Sequence, residues 1–309
     1  MDYRLLGKTG LRVSALSFGA SSLGSVFRPV DEAEGIRAVF TAIDLGINLI
    51  DVSPYYGLTK AETVLGKALK DIPRDRYYLA TKAGRYGADE FDYSARRVTA
   101  SLDESLARLH VEYVDILQCH DIEFGSLDQV VNETLPALRR LQAQGKARFI
   151  GVTGLPLKIF RAVLDRAEVD TILSYCHYSL NDTALESLAP FLKQKQVGVV
   201  NASPLSMGLL STRGAPSWHP ASDELKAACA KAAAFCREQG VDIAQLAIQF
   251  SVANPDLATT LVGTASPDHL TKNVRWLEEP VNDALMKKVQ TILAPIHNQT
   301  WPSGRPENN

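Results

Sequence analysis

Eight short apolar runs, separated by longer amphipathic stretches, limit what this chain can fold into. The runs are ALSFGA (15–20), INLIDVS (47–53), YYLATKA (77–83), VDILQCH (114–120), ARFIGVTG (147–154), TILSYC (171–176), VGVVNASPL (197–205) and ATTLVGTA (258–265). Between them, stretches such as EGIRAVFTAIDLG (34–46), SARRVTASLDESLARL (94–109) and SLDQVVNETLPALRRLQAQG (126–145) carry apolar residues at helical spacing. Many end at a glycine able to take a left-handed cap. Nearly continuous apolar strands alternating with helices imply a parallel sheet covered on both faces.

Eight such repeats favour a closed (β/α)8 barrel, an α/β fold, over an open doubly wound sheet. An open sheet that binds a dinucleotide carries Gly-x-Gly-x-x-Gly after its first strand. Here that place reads FGASSLGS. The N-terminal stretch reads as a small β-hairpin turning at Gly7 to Gly10, a cap on the barrel. No linker or low-complexity segment divides residues 1–309, so a single domain is expected. The tail after 294, PIHNQTWPSGRPENN, is read as either disordered or folded over a barrel mouth.

Charge narrows the partners. The 33 basic and 35 acidic residues nearly cancel, and no block of like charge is long enough to track a nucleic acid or an anionic membrane. No apolar run approaches the ~20 residues of a membrane span. No stretch resembles a secretory signal, so a cytoplasmic protein is expected. Cys119, Cys176, Cys229 and Cys236 have neither disulfide-scaffold nor metal spacing and are expected to be buried free thiols.

In a barrel of this kind chemistry sits at the carboxyl ends of the strands. Asp51 ends the second run, Lys82 lies near the end of the third, His120 ends the fourth, and Tyr56 follows Asp51 by five residues. Singly these are ordinary: an aspartate that caps a helix, a lysine that snorkels, a structural histidine. Together they suit proton transfer to or from a carbonyl or an alcohol. Bringing a tyrosine from a pKa of about 10 to about 7 takes roughly 4 kcal/mol of preference for the phenolate. A nearby lysine cation can supply much of that. Asp51 would be the counter-ion that keeps Lys82 charged in a dry pocket, and His120 would orient the substrate oxygen.

The motifs LLGKTGLRVSALSFGA, YYG, LATKAG, RFIGVTG, SPLSMGLL and VGTASPDHLTKN resemble those of the aldo-keto reductases, along essentially the whole chain. The resemblance implies a NAD(P)-dependent oxidoreductase on a (β/α)8 barrel with Asp51, Tyr56, Lys82 and His120 as its catalytic tetrad. Within the family, FGASSLGSVF, YVDILQCHDIEFGSLDQVV, GVTGLPL, ILSYCHYSLND and WHPASDELK look like the plant L-galactose dehydrogenases as a group. That implies oxidation of C1 of an aldose, L-galactose first, to a lactone. Dehydrogenases of L-fucose or D-arabinose share much of the pattern, and NADPH-dependent aldehyde reduction is the other alternative.

The resemblance also places the cofactor. Tyr175, next to Ser174, aligns with the family's glutamine contact to the carboxamide, and Thr153 with the serine of its fifth strand, so Thr153 and Ser174 are cofactor candidates. Ala202 stands where many members have a stacking tyrosine. Ser203, Leu205, Met207, Gly208, Gly263, Thr264, Ala265 and Ser266 would hold the pyrophosphate, with Asn273 near the adenine. Gly263 and His269 stand where NADP-preferring members present a lysine and an arginine, which favours NAD over NADP, with Lys272 as a nearby cation. Ser25, Phe27, Arg85, Asp121 and Trp218 are candidate substrate contacts, with His219 and Trp301 beside them. No resident metal is expected. Two rivals are a metal-dependent barrel hydrolase using His120 and His177 with Asp51 or Asp121, and a non-catalytic nicotinamide sensor. Oligomeric state is left open.

Overall fold

The computed structural model describes residues 1–26 and 28–309. Phe27, one of the expected substrate contacts, lies outside the described residues. The eight runs become eight parallel strands: β3 (Leu16–Gly19), β4 (Leu49–Asp51), β5 (Tyr78–Ala83), β6 (Val114–Cys119), β7 (Ala147–Gly154), β8 (Thr171–Tyr175), β9 (Gly198–Ala202) and β10 (Thr259–Gly263). They close in the order β10-β3-β4-β5-β6-β7-β8-β9. Before them β1 (Tyr3–Leu5) and β2 (Arg12–Ser14) form the expected antiparallel hairpin around a turn at Gly7–Thr9.

Strand alternation sorts the barrel residues into two layers. Ile50, Leu79, Leu117, Cys119, Ile150, Val152, Ile172 and Val199 face outward and pack with the helices. Leu49, Ala80, Ile116, Leu173, Val200 and Leu261 face inward, where Leu6, Leu11 and Val13 of the hairpin region join them. The hairpin thus plugs the amino end of the barrel and leaves the carboxyl end for the site. All four cysteines are buried and free.

The stretch 126–145 is helical but not uniform. A π-helical turn at Val130–Thr134 separates Leu127–Gln129 from Leu135–Ala143. Pro136, two residues past it, has no N–H to give to a carbonyl four residues back, so the regular ladder is interrupted. The left-handed cap of the helix Ala95–Leu109 is His110 rather than a glycine. Among the described residues no helix is long and apolar enough to cross a membrane.

The C-terminal tail takes the second of its two readings. Arg305 N–H and Asn308 Nδ2 donate to the Glu123 carbonyl at 2.9 and 2.8 Å, and Ser303 Oγ reaches the Glu123 carboxyl at 3.0 Å. Trp301 is buried and meets the ring of His219 edge-on at 4.9 Å.

Candidate active site

Three adjacent strands bring the first four candidates together. Asp51 and Lys82 share the inward face with Gln118, which pairs with Lys82 across β5 and β6. His120 lies one residue past β6 on the same face by alternation. Tyr56 arrives on the loop after β4. That loop lies backbone to backbone against the loop after β3: a Cβ on Gly57 would sit 2.1 Å from the carbonyl oxygen of Gly24. Gly57 has φ +64, and Leu58 and Thr59 also take positive φ before the helix Lys60–Leu69 begins. Only glycine fits so close an approach in that conformation.

Lys82 is almost completely buried, yet all three of its ammonium hydrogens have acceptors. One goes to Asp51 Oδ1, one to the Val52 carbonyl at 3.0 Å, and one to the Tyr56 hydroxyl oxygen at 3.2 Å. Asp51 Oδ2 accepts from Gln118 Nε2 at 2.8 Å. Burial alone would depress the Lys82 pKa, but Asp51 and Tyr56 raise it, so the ammonium persists. Because Tyr56 accepts from Lys82, its own O–H is directed elsewhere.

Tyr56 does not follow the expectation of a pKa drawn toward neutrality. Burial pushes it up to about 12 against the pull of Lys82. Behind burial, the negative charges of Asp51 and Asp121 add to the rise by opposing the field of Lys82. The resting tyrosine is therefore a phenol that can donate. His120 is neutral as well: burial, aided by Lys82 and Arg85 and opposed by Asp121, lowers its pKa to about 3. Its ring stands edge-on to Tyr56 with centroids 5.8 Å apart.

Around this cluster lies a polar wall. Arg85 binds Asp121 at 2.6 Å, donates to Tyr55 OH at 3.2 Å and stacks 4.0 Å above the Tyr55 ring. Asp121 is buried at φ +48, and its amide donates to Thr153 Oγ1 at 2.9 Å. Thr153, a cofactor candidate, thus also holds Asp121. Ser25 occupies a left-handed position and accepts from Lys60 Nζ at 2.8 Å and from the Val30 amide at 3.2 Å. Its hydroxyl braces two loops, a part the sequence did not suggest. Trp218 is half exposed and stacks beside His219, while His219 Nε2 lies 3.1 Å from the Ser206 carbonyl.

Ser174, a cofactor candidate, turns its side chain away from the barrel interior. It shares the outer face of β8 with Ile172, buried toward the helices, and its hydroxyl has no hydrogen-bond partner among the described residues. Tyr175, on the inner face, reaches Glu123 Oε1 at 3.3 Å. Glu123 is the largest omission from the sequence reading. Its carboxyl is fully buried, Oε1 accepts from Leu155 N, Tyr175 and Ser303, and Oε2 has no partner among the described residues. Burial and then Asp121 raise its pKa to about 8. An isolated glutamate in a loop gives no sequence signal for this, because its partners come from 32 to 180 residues away.

The cofactor candidates line the other side of the mouth. Ser203, Ser206, Met207 and Gly208 all take positive φ in the loop after β9, with φ of +59, +45, +51 and +105. Such turns aim backbone N–H groups into a concavity that suits an anion. Ser206 Oγ is tied to Asn181 at 2.6 Å, which fixes the loop from beneath. At the end of β10, Gly263 is exposed, and Thr264, Ala265 and Ser266 lead into the helix Pro267–Glu278, whose first turn has no side-chain cap. Its free N–H groups are the second anion-binding feature. Asn273 is buried on that helix. These residues fit a dinucleotide.

At the far end the positive charges of Arg213, Arg28 and Lys272, after desolvation, lower the pKa of His269. Lys272 is committed to Asp242 at 3.2 Å and to the Trp276 ring at 4.6 Å. Arg28 and Arg213, on loops remote in sequence, are cations the sequence reading did not place there. His177, offered as a metal ligand in one rival reading, is buried with Nδ1 3.1 Å from Asp182.

The sequence profile of the aldo/keto reductase family matches residues 15–294, and the chain belongs to that family of oxidoreductases. It is 54% identical to the L-galactose dehydrogenase of Arabidopsis thaliana, over 100% of this chain and 99% of that one. It is 36% identical to the D-arabinose 1-dehydrogenase of Saccharomyces cerevisiae, over 95% of each. Among solved structures, the holo form of an aldo-keto reductase from Bacillus halodurans superposes with a TM-score of 0.77 at 29% identity, covering 94% of this chain and 96% of that one.

Proposed function

We propose that this protein is an aldose 1-dehydrogenase that oxidises the C1 hydroxyl of a cyclic sugar to a lactone, with L-galactose as its substrate and NAD as its cofactor. The observation that carries the reading is the hydrogen bond from Lys82 to the Tyr56 oxygen beside a neutral His120, at the open end of the barrel. Asp51, Tyr56, Lys82 and His120 are the catalytic residues in this reading. The names of the Arabidopsis and yeast relatives, both sugar dehydrogenases, support the choice of an aldose.

When bound, the nicotinamide supplies the hydride acceptor. The loop Ser203–Gly208 and the N–H groups around Ser266 would hold the pyrophosphate, with Asn273 toward the adenine. In the chain's own chemistry, His120 and Tyr56 bracket the anomeric hydroxyl. Tyr56 passes its proton to bulk as phenolate and recovers one from the sugar, with Lys82 stabilising the anionic form. Arg85, Asp121, Trp218 and Trp301 form the wall against the remaining hydroxyls, polar on one side and aromatic on the other.

NADPH-dependent aldehyde reduction is the second reading, and Arg28 and Arg213 beside His269 favour it, because guanidinium groups suit a 2′-phosphate. One experiment separates the two: reduced-cofactor formation from L-galactose, L-fucose, D-arabinose and L-gulose with NAD and with NADP, alongside simple aldehydes with NADPH. Preferred turnover of L-galactose with NAD is expected. Turnover confined to aldehydes with NADPH would overturn both the sugar and the cofactor.

A further inference from the structure

His120 is held from both sides, and the two sides differ. On one, Nδ1 lies 3.0 Å from the hydroxyl of Ser53, a fully buried residue two positions after Asp51. The Ser53 oxygen already accepts the backbone N–H of Tyr55 at 3.2 Å. On the other side, Nε2 lies 3.6 Å from Asp121 Oδ2. Asp121 is fixed in its turn by Arg85 at 2.6 Å through Oδ2 and by the Thr153 hydroxyl at 3.1 Å through Oδ1.

A neutral imidazole carries one N–H, and which nitrogen bears it depends on what the other nitrogen meets. With the proton on Nε2, the Ser53 O–H donates into the lone pair of Nδ1 while its oxygen keeps the Tyr55 amide. The ring N–H then points toward the Asp121 carboxylate and the mouth. With the proton on Nδ1, the bare lone pair of Nε2 would face a buried carboxylate 3.6 Å away, and the ring would have no donor for a substrate oxygen. That carboxylate carries charge in a dry setting, where such repulsion is screened least.

We propose that Ser53 is a positioning residue that fixes His120 as the Nε2–H tautomer, with the Asp121–Arg85 pair holding that choice from the opposite face. The tautomer is a property of the resting protein. Its kinetic consequence rests on the dehydrogenase reading, in which Nε2–H donates to the oxygen at C1. Ser53 touches neither substrate nor cofactor in this arrangement and acts only through His120.

The test is long-range proton–nitrogen NMR on full-length protein labelled at histidine, with the His120 signals identified by their loss in His120→Asn. Wild type is expected to show a protonated Nε2 and a bare Nδ1. Ser53→Ala is expected to show a mixed or reversed ring, and to lower kcat for aldose oxidation by about 10- to 100-fold with unchanged NAD affinity. Ser53→Thr, which keeps the hydroxyl, is expected to restore both the ring signature and the rate. A wild-type ring protonated on Nδ1 overturns the proposal, as does Ser53→Ala with an unaltered tautomer, whatever its rate. A wild type that turns over no aldose would remove the dehydrogenase reading, and the ring signature would still decide the role of Ser53.

Discussion

The ammonium of Lys82 donates to the hydroxyl oxygen of Tyr56 at 3.2 Å, and Tyr56 therefore has its own proton free for the barrel mouth. The same lysine gives its other two hydrogens to Asp51 and the Val52 carbonyl, so its position is set by the barrel wall and not by the ligand. In the proposed reaction this makes Tyr56 the one residue through which the proton must pass.

Tyr56→Phe removes that path and leaves the ring and its packing. Turnover should fall by about 10²- to 10⁴-fold, while NAD binding, measured by fluorescence titration, stays close to wild type. Tyr55→Phe loses only the 3.2 Å contact with Arg85 and should keep most of the activity. Equal loss in both variants would assign the proton to some other group.

The raised pKa of Tyr56, about 12, fixes the sign of the pH dependence. Oxidation needs the phenolate, whose fraction grows by at most about tenfold per pH unit below that pKa. Steady-state kcat for oxidation should therefore climb through the alkaline range, and the reverse reduction should not. His120, with its pKa near 3, stays neutral throughout, so no break should appear near the ordinary histidine value of 6.5. A bell-shaped profile centred near neutrality would contradict this arrangement.

Lys82→Met leaves the Asp51 carboxylate buried without its cation. A loss of about 3 to 5 kcal/mol in urea unfolding is expected. Replacing both partners, Asp51→Leu with Lys82→Met, should recover part of that stability and none of the activity, because two apolar side chains leave no unpaired charge while the Gln118 amide loses its acceptor. If the double variant is no more stable than the single one, the ion pair is not the source of the loss.

Glu123 gives a second pH effect, this one on stability. Its pKa is raised from 4.5 to about 8 in the folded protein, so the folded state binds more protons than the unfolded state between those values. Its contribution is fully present below about pH 4.5 and is lost as pH rises toward about 8. Glu123→Gln should flatten the fall of Tm across that window. It should also leave the tail docked, because Gln keeps an acceptor for Ser303 and Leu155. An unchanged pH slope in the variant would show that the carboxyl is not held neutral.

Much of the site could be read from the sequence because its parts sit at fixed places on successive strands. Asp51, Lys82 and His120 point inward for the same reason that Ile50, Leu79 and Cys119 point outward, the two-residue period of a strand. The same period along β8 turns the Ser174 side chain away from the barrel interior, so its outward position follows from alternation alone. Glu123, Ser53 and the cations Arg28 and Arg213 were not legible in this way. Each matters through partners on other elements, and neither spacing nor composition records which loops meet.

By itself the sequence determined the closed barrel, the hairpin plug and the strand ends that carry Asp51, Lys82 and His120, since periodicity and apolar runs are local properties that survive without knowledge of contacts. Tertiary structure alone decided the electrostatics. Lys82 keeps its charge because Asp51 and Tyr56 lie within reach, Tyr56 remains a phenol because its burial outweighs the pull of Lys82, and the tail closes on Glu123 because residues 180 positions apart meet at the mouth. Charge interactions depend on distance and burial, and both are set only when the whole barrel has closed.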